Sequence, residues 1–117
     1  MTLKIKQGEI WLANLNPQRG TEAGKSRPVL IIQNQALLDI QHPSTLIIPL
    51  TTKLIDGAEP LRIRVKARGK LEKSSDLLID QVRAIDNKRL KKGPLLQCDP
   101  EFMKQVYQAL NEVMGNE

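Results

Sequence analysis

The chain changes its hydrophobic period once, at the dipeptide Asp99-Pro100. Before that point apolar residues come in short runs: Glu9 to Leu15, Val29 to Gln33, Leu46 to Leu50, and the strictly alternating Leu61 to Arg68. After it Phe102, Val106, Leu110 and Met114 recur every four residues, with Met103, Ala109 and Val113 widening the stripe. Runs of the first kind are strands of a sheet, and a stripe of the second kind is an amphipathic helix. Further strands are predicted at Leu77 to Ile85 and after Pro94 through Gln97, and short helical turns at Gln35 to Gln41 and Asp86 to Lys91. Asp99 suits a helix N-cap, Pro100 the first helical position, Glu101 the positive end of the dipole, and Gly115 the stop. Short strands closed by one helix predict a mainly β (β+α) fold, a small antiparallel barrel with a C-terminal amphipathic helix.

With 117 residues the chain is one domain, long enough for one real core. Its only aromatic residues are Trp11, Phe102 and Tyr107, so that core must be mostly aliphatic. No apolar run approaches the roughly 18 residues of a membrane span. The start, MTLKIKQGEI, lacks the apolar region of a secretory signal, so a cytoplasmic protein with no membrane attachment is expected. Cys98 stands alone, which leaves no disulfide and no thiolate metal cluster within one chain. His42 is the only histidine, which excludes a histidine pair and a histidine-based metal site in one subunit.

Charge is unevenly spread. Residues 1–98 hold 17 Lys and Arg against nine acids, a net of +8, while residues 99–117 hold one Lys against four acids, a net of −3. A basic body, with its excess cations between Arg62 and Lys92, implies a polyanionic partner: a nucleic acid or a strongly acidic peptide. On Leu61 to Arg68 alternation places Arg62, Arg64, Lys66 and Arg68 on one strand face, at about 7 Å intervals. That spacing suits a phosphate track, and equally the charged edge by which a sheet avoids aggregation.

The segment GTEAGKSRPVLIIQN, residues 20–34, delivers Lys25, Ser26 and Arg27 from a glycine loop into an apolar run. It is not a nucleotide-binding P-loop, because only three residues separate Gly20 from Gly24 where four are needed. The loop also leads into a strand, whereas a P-loop must open a helix toward the phosphate. What the segment offers is Arg27 held in extended backbone by Pro28, which disfavours helical conformations in the residue before it.

No serine elbow and no carboxylate cluster with metal-ligand spacing is present, so Arg, Lys, Thr and Asp/Glu form the catalytic vocabulary and no metal or other cofactor is expected. That vocabulary suits phosphate chemistry. Cleavage of RNA needs no external nucleophile, since the ribose 2′-hydroxyl attacks its own phosphate once a base takes its proton and cations stabilise the phosphoryl oxygens. An arginine fork grips two such oxygens and stays charged, and a threonine hydroxyl adds a neutral donor. Thr51 and Thr52 end the run LIIPLTT, where a sheet delivers side chains to its rim, so Thr51 meets Arg27 if the two strands are neighbours.

These residues together resemble the MazF/PemK-like toxins of bacterial type II toxin-antitoxin systems, which are mRNA endoribonucleases. The resemblance spans nearly the whole chain and rests on GEIWLANLNP, then GTEAGKSRPVLIIQN, then PLTT, then DQVRAIDNKRL, in the family's order and spacing. It implies an SH3-like barrel with a C-terminal helix, usually a homodimer, cutting single-stranded RNA at short motifs without metal. Arg27 and Thr51 fall on the family's catalytic Arg and Thr, Arg27 as acid or base and charge clamp, Thr51 as the group holding the scissile phosphate. Glu22 matches an acidic loop position implicated in some members. Asp80 matches an aspartate that is catalytic in the PemK branch, where an arginine stands two residues earlier; here that position is Leu78. Asp80 and Gln81 are therefore expected to be structural or RNA-contacting. With no aromatic pair to stack bases, recognition would fall to hydrogen bonds from Asn16, Gln18 and Lys25, with Ser26, Thr52, Arg62, Arg64 and Lys66 along the RNA. The expected regulator is an acidic antitoxin whose disordered tail folds over the basic surface. Two rival readings are a gyrase-poisoning toxin of the same fold and a non-catalytic nucleic-acid-binding barrel.

Overall fold

A computed structural model describes residues 4–116; the first three residues of the MTLKIKQGEI start and the last carboxylate of the acidic tail lie outside the described residues. Among the described residues seven strands and two α-helices follow one another. They are β1 (Glu9–Asn14), β2 (Ser26–Ile31), α1 (Gln35–Asp39), β3 (Ser44–Thr51), β4 (Arg62–Val65), β5 (Ser75–Leu78), β6 (Arg83–Asp86), β7 (Leu90–Gln97) and α2 (Pro100–Met114). All pairings are antiparallel, in the order β4-β5-β3-β2-β1-β7, with β6 also pairing with β3. The mainly β architecture with a C-terminal helix is as expected, and the sheet curls without closing, which departs only from the closure of a barrel. Its end strands β4 and β7 do not pair, although the Lys70 N–H, beyond β4, donates to the Leu95 carbonyl at 2.9 Å.

Both faces of this sheet are covered, which explains why its strands read as apolar runs rather than as alternating ones. On one face Ile10, Leu30, Ile48, Leu50 and Leu77 pack against Met103, Val106, Ala109 and Leu110 of α2. On the other Trp11, Val29, Ile31, Ile47, Leu78 and Ile85 gather with Leu15 and Ala23 of the β1–β2 loop and Leu90 at the start of β7. Gly93 of β7 lies flat on the Trp11 ring, where a Cβ would come within 2.3 Å of a ring carbon, so no other residue fits.

The helix follows its sequence signals closely. Asp99 accepts from the Phe102 N–H at 2.8 Å, Pro100 opens the first turn, and Gly115 ends the helix in the left-handed conformation at φ 71°. Its apolar stripe outruns the sheet, leaving Val113 and Met114 exposed. Because the rest of the stripe packs within the chain, it carries no argument for a dimer.

Two expected strands differ from their sequence patterns. The alternating run stops at Val65, and Lys66 to Arg68 turn away, so the four cations do not share one continuous strand face. The run Leu77 to Ile85 is broken by a 3-10 turn at Ile79–Gln81. Leu50 faces Leu77 while Ile47 faces Arg83, three steps on β3 against six on the other strand, and the turn absorbs the surplus. That break swings the Gln81 side chain out of the ladder. The expected helical turn at Asp86 to Lys91 shrinks to a 3-10 turn at Asn87–Arg89.

Candidate active site

Residues 15–25 leave β1 and return into β2 as a loop held at three places. At its base the Leu15 N–H donates to the Lys25 carbonyl at 2.8 Å, and the Lys25 N–H donates to Asn16 Oδ1 at 2.7 Å. Arg89, in the turn before β7, donates from Nη1 to the Asn14 and Asn16 carbonyls at 3.1 and 2.6 Å. Near its tip Gln81 accepts from the Ala23 N–H at 2.7 Å and donates to the Thr21 carbonyl at 3.1 Å. Inside the loop Gly24 touches Gln18 so closely that a Cβ would lie 2.4 Å from the Gln18 Cβ. Any side chain there would push the loop open.

The loop delivers Arg27 to the sheet beside β3. The pairing of β2 with β3 ends at Val29 opposite Pro49, two residues short of Arg27 and Thr51. The guanidinium donates from Nε to the Gly24 carbonyl at 2.7 Å and from Nη1 to the Leu50 carbonyl at 3.2 Å. Among the described residues no carboxylate pairs with it, and burial lowers its pKa. Thr51 is half-buried, and its Oγ1 accepts from the Lys53 N–H at 3.2 Å, which leaves the hydroxyl proton free to donate.

Thr51 pairs with Asp76 on β5, and Asp76 with Arg64 on β4, so Thr51, Asp76 and Arg64 cross three strands in sequence. Asp76 is 1% exposed and accepts from Arg64 Nε at 2.8 Å, from Arg62 Nη1 at 3.3 Å and from the Ile55 N–H at 2.9 Å. Arg64 also pairs with Asp56, and Arg62 Nη1 reaches the Lys53 carbonyl at 2.8 Å. Burial alone would push the Asp76 carboxyl up, but the bonds from Arg64, the Ile55 N–H and Arg62 outweigh it and hold the carboxyl below its ordinary value. The Arg64 guanidinium is held charged by its bonds to Asp76 and then Asp56.

The structure thus places the Arg27 guanidinium against the residue before Thr51, with Ser26, Thr52, Lys25, Asn16 and Gln18 on the β1–β2 loop or the strand ends. Ser26, Thr52, Lys25, Asn16 and Gln18 are exposed, although the Asn16 Oδ1 is engaged in holding the loop. Glu22 is exposed and makes no side-chain hydrogen bond to Arg27 or Thr51. It lines instead a cleft of about 470 Å3 with Asp80, Gln81 and Arg83. Lys66 belongs to another groove, of about 280 Å3, between the end of β4 and α2, shared with Arg68, Cys98 and Phe102. There burial pushes the Cys98 thiol up to about 11, the state of a packed, inert cysteine. His42 is exposed in a turn, and among the described residues no three His, Cys, Asp or Glu side chains gather as a metal site. Two residues of the site escaped sequence reasoning. Arg89 gave no signal beyond its place in a basic run; Asp76, an acid directly before the apolar triplet Leu77, Leu78 and Ile79, did give one, since burial beside such a run demands a cationic partner.

Comparison with known proteins bears on the whole chain. It is 32% identical, over 112 residues, to the endoribonuclease MazF of Staphylococcus saprophyticus, covering 95% of this chain and 92% of that one. The fold matches MazF from Deinococcus radiodurans with a TM-score of 0.80 at 21% identity, covering 97% of this chain and 98% of the other. It also matches a mycobacterial endoribonuclease solved in complex with its cognate antitoxin, with a TM-score of 0.72 at 18% identity, covering 97% and 96%. No described helix is long and apolar enough to cross a membrane. Residues 6–114 match the family of PemK-like, MazF-like toxins of type II toxin-antitoxin systems, and with that match and the Staphylococcus relative the chain belongs to this family.

Proposed function

We propose that this toxin is a metal-independent endoribonuclease that cuts single-stranded mRNA at short sequence motifs, with Arg27 and Thr51 on the scissile phosphate. Family membership and the endoribonuclease among its relatives support the reaction class. The observation that carries the site is the state of Arg27: a half-buried guanidinium, aimed by two carbonyls, one of them of the residue before Thr51, with no carboxylate paired to it among the described residues. A desolvated, unpaired cation is a site for an anion, and the anion here is a phosphodiester.

In the reaction the ribose 2′-oxygen bonds to phosphorus, the P–O5′ bond breaks, and the 2′-proton passes to a base while O5′ gains one. Arg27 spreads its charge over the phosphoryl oxygens as they become more negative, and Thr51 donates a hydrogen bond to one of them. Arg27 itself and Glu22, the carboxylate on its loop, are the groups available for proton transfer. Asn16, Gln18, Lys25, Ser26 and Thr52 surround this point and contact the neighbouring nucleotides. The protein works as a homodimer, for which Leu54, Ile55 and Leu61 are apolar side chains left exposed by one protomer. It is restrained by an acidic antitoxin, matching the basic excess of residues 1–98.

The test is incubation of the purified protein with a long RNA in excess EDTA, followed by mapping of the ends. Discrete cuts leaving 2′,3′-cyclic phosphate and 5′-hydroxyl termini are expected, and Thr51→Ala should slow them about 10²-fold, the scale for removing one transition-state donor. Loss of cutting in EDTA would overturn the metal-free mechanism. Binding of RNA without turnover would leave a nucleic-acid-binding module, and trapped DNA breaks with intact RNA would leave a gyrase poison.

A further inference from the structure

The Gln81 side chain stands at the join between two parts of the molecule that the sequence sets 58 residues apart. Its amide is bound at both ends by the β1–β2 loop, accepting from the Ala23 N–H at 2.7 Å and donating to the Thr21 carbonyl at 3.1 Å. The residue after Ala23 is Gly24, and the Gly24 carbonyl accepts from Arg27 Nε at 2.7 Å. Gly24 has no freedom of its own here, since it is pressed against Gln18. A continuous chain of short bonds therefore runs from the 3-10 turn at Ile79–Gln81 through the loop to the guanidinium.

We infer that Gln81 is a positioning residue, which aims Arg27 at the scissile phosphate by fixing the 21–24 segment of the loop. The inference rests on the nuclease reading of Arg27 and deepens it. Two physical points favour aiming over direct contact with RNA. The amide makes two bonds to one loop, satisfying one donor and the acceptor at once, so rotating it toward RNA would free a backbone N–H and a carbonyl together. An arginine carried by a loop is aimed only as well as the loop is fixed, and an error of about 1 Å at a reacting centre costs about 10²-fold in rate. The β5–β6 break also gains a use: had Leu77 to Ile85 been one strand, position 81 would have stayed in the ladder.

The test measures aim and rate separately. In the folded protein the Arg27 Nε–H should exchange slowly with solvent by NMR, since it is bonded to the Gly24 carbonyl; the Arg64 Nε–H, bonded to Asp76, is the internal control. Gln81→Met keeps the length and removes both bonds. It should speed Arg27 Nε–H exchange tenfold or more and leave that of Arg64 unchanged. Gln81→Glu keeps the acceptor for Ala23 and should hold the Arg27 exchange within about threefold of wild type, taking as scale the tenfold worth of one hydrogen bond. If Gln81→Met does not fold, Gln81→Ala is the second truncation, with the same expectation. Unchanged Arg27 exchange in the truncated protein overturns the inference, whether or not the protein cuts RNA.

Kinetics supply the second arm. Gln81→Met should lower kcat 10- to 100-fold with KM within about twofold, and in an Arg27→Ala background it should cost less than about twofold more, since groups acting as a unit are not additive. Raised KM at unchanged kcat would make Gln81 an RNA contact instead, and fully multiplicative losses would show that it does not act through Arg27. A wild-type protein that cuts no RNA would sink the nuclease reading alone, and the exchange measurement would still decide whether Gln81 aims Arg27.

Discussion

Arg27 on β2 and Arg64 on β4 flank the paired strands β3 and β5, yet they are in opposite electrostatic states. Arg64 is bonded to Asp76 and Asp56, is held charged, and carries the β3–β4 loop through their shared carboxylate. Arg27 meets only carbonyls, and burial works against its charge. The difference is one of compensation. A cation whose charge is already answered by a buried carboxylate holds structure together, whereas one held in place by dipoles alone keeps its attraction for an incoming anion. Position in the sheet decides which: Asp56 and Asp76 bond the arginines of β4, and no acid of the β1–β2 loop bonds Arg27.

The largest expected effect follows directly. Arg27→Ala should lower RNA cleavage by about 10²–10³-fold, as for other transition-state donors, while stability to urea changes less, because the two hydrogen bonds to carbonyls that are lost are offset by removal of a desolvated, uncompensated cation. Arg64→Ala should do the reverse, lowering the urea midpoint with cleavage nearly intact. Equal losses of activity in both variants would erase the contrast.

Next in size is the carboxylate that separates them. Asp76→Asn keeps the shape but removes the charge that compensates Arg62 and Arg64, and should lower the urea midpoint by less than breaking a fully buried ion pair would, because both arginines keep access to solvent. The pH dependence has the same origin. The Asp76 carboxyl is depressed in the folded protein, so its stabilisation is complete above the ordinary aspartate value of about 4 and drains away as pH falls through the lower folded value. Wild-type stability should therefore fall on acidification below about pH 4 more steeply than that of Asp76→Asn. Parallel curves would remove Asp76 from the account.

Much of this site was legible in the sequence, and the illegible part has a common cause. The strand ends that carry Arg27 and Thr51 were readable because a following proline is a local signal, and two short strands joined by α1 are neighbours in most sheets. The α2 cap was readable for the same reason. The break at Ile79–Gln81 was not, because it arises from a register mismatch with β3, a relation between segments that neither carries alone. The closed barrel failed likewise: whether β4 meets β7 depends on accumulated twist, not on any one strand's pattern. The strand reading of Lys66 to Arg68 failed because alternation continues past the point where the partner strand ends, at Ser75 opposite Val65.

The smallest effect sharpens the comparison on the cations that sequence placed together. Arg62, Arg64 and Lys66 share an alternating pattern, but Arg62 and Arg64 are tied to Asp76 and Lys66 is exposed without a salt bridge among the described residues. Each phosphate contact on a single strand contributes about 0.7 to the slope of log binding constant against log salt. Measured with a cleavage-resistant RNA in which the 2′-hydroxyl at the cut is replaced, Lys66→Ala should flatten that slope by about 0.7 if the RNA reaches it, while Arg64→Ala should leave it unchanged. A slope that flattens with Arg64→Ala would mean that RNA competes with Asp76 for the guanidinium, turning the ion pair from a structural tie into part of the track. A slope unmoved by either change would assign the whole basic strand to edge protection.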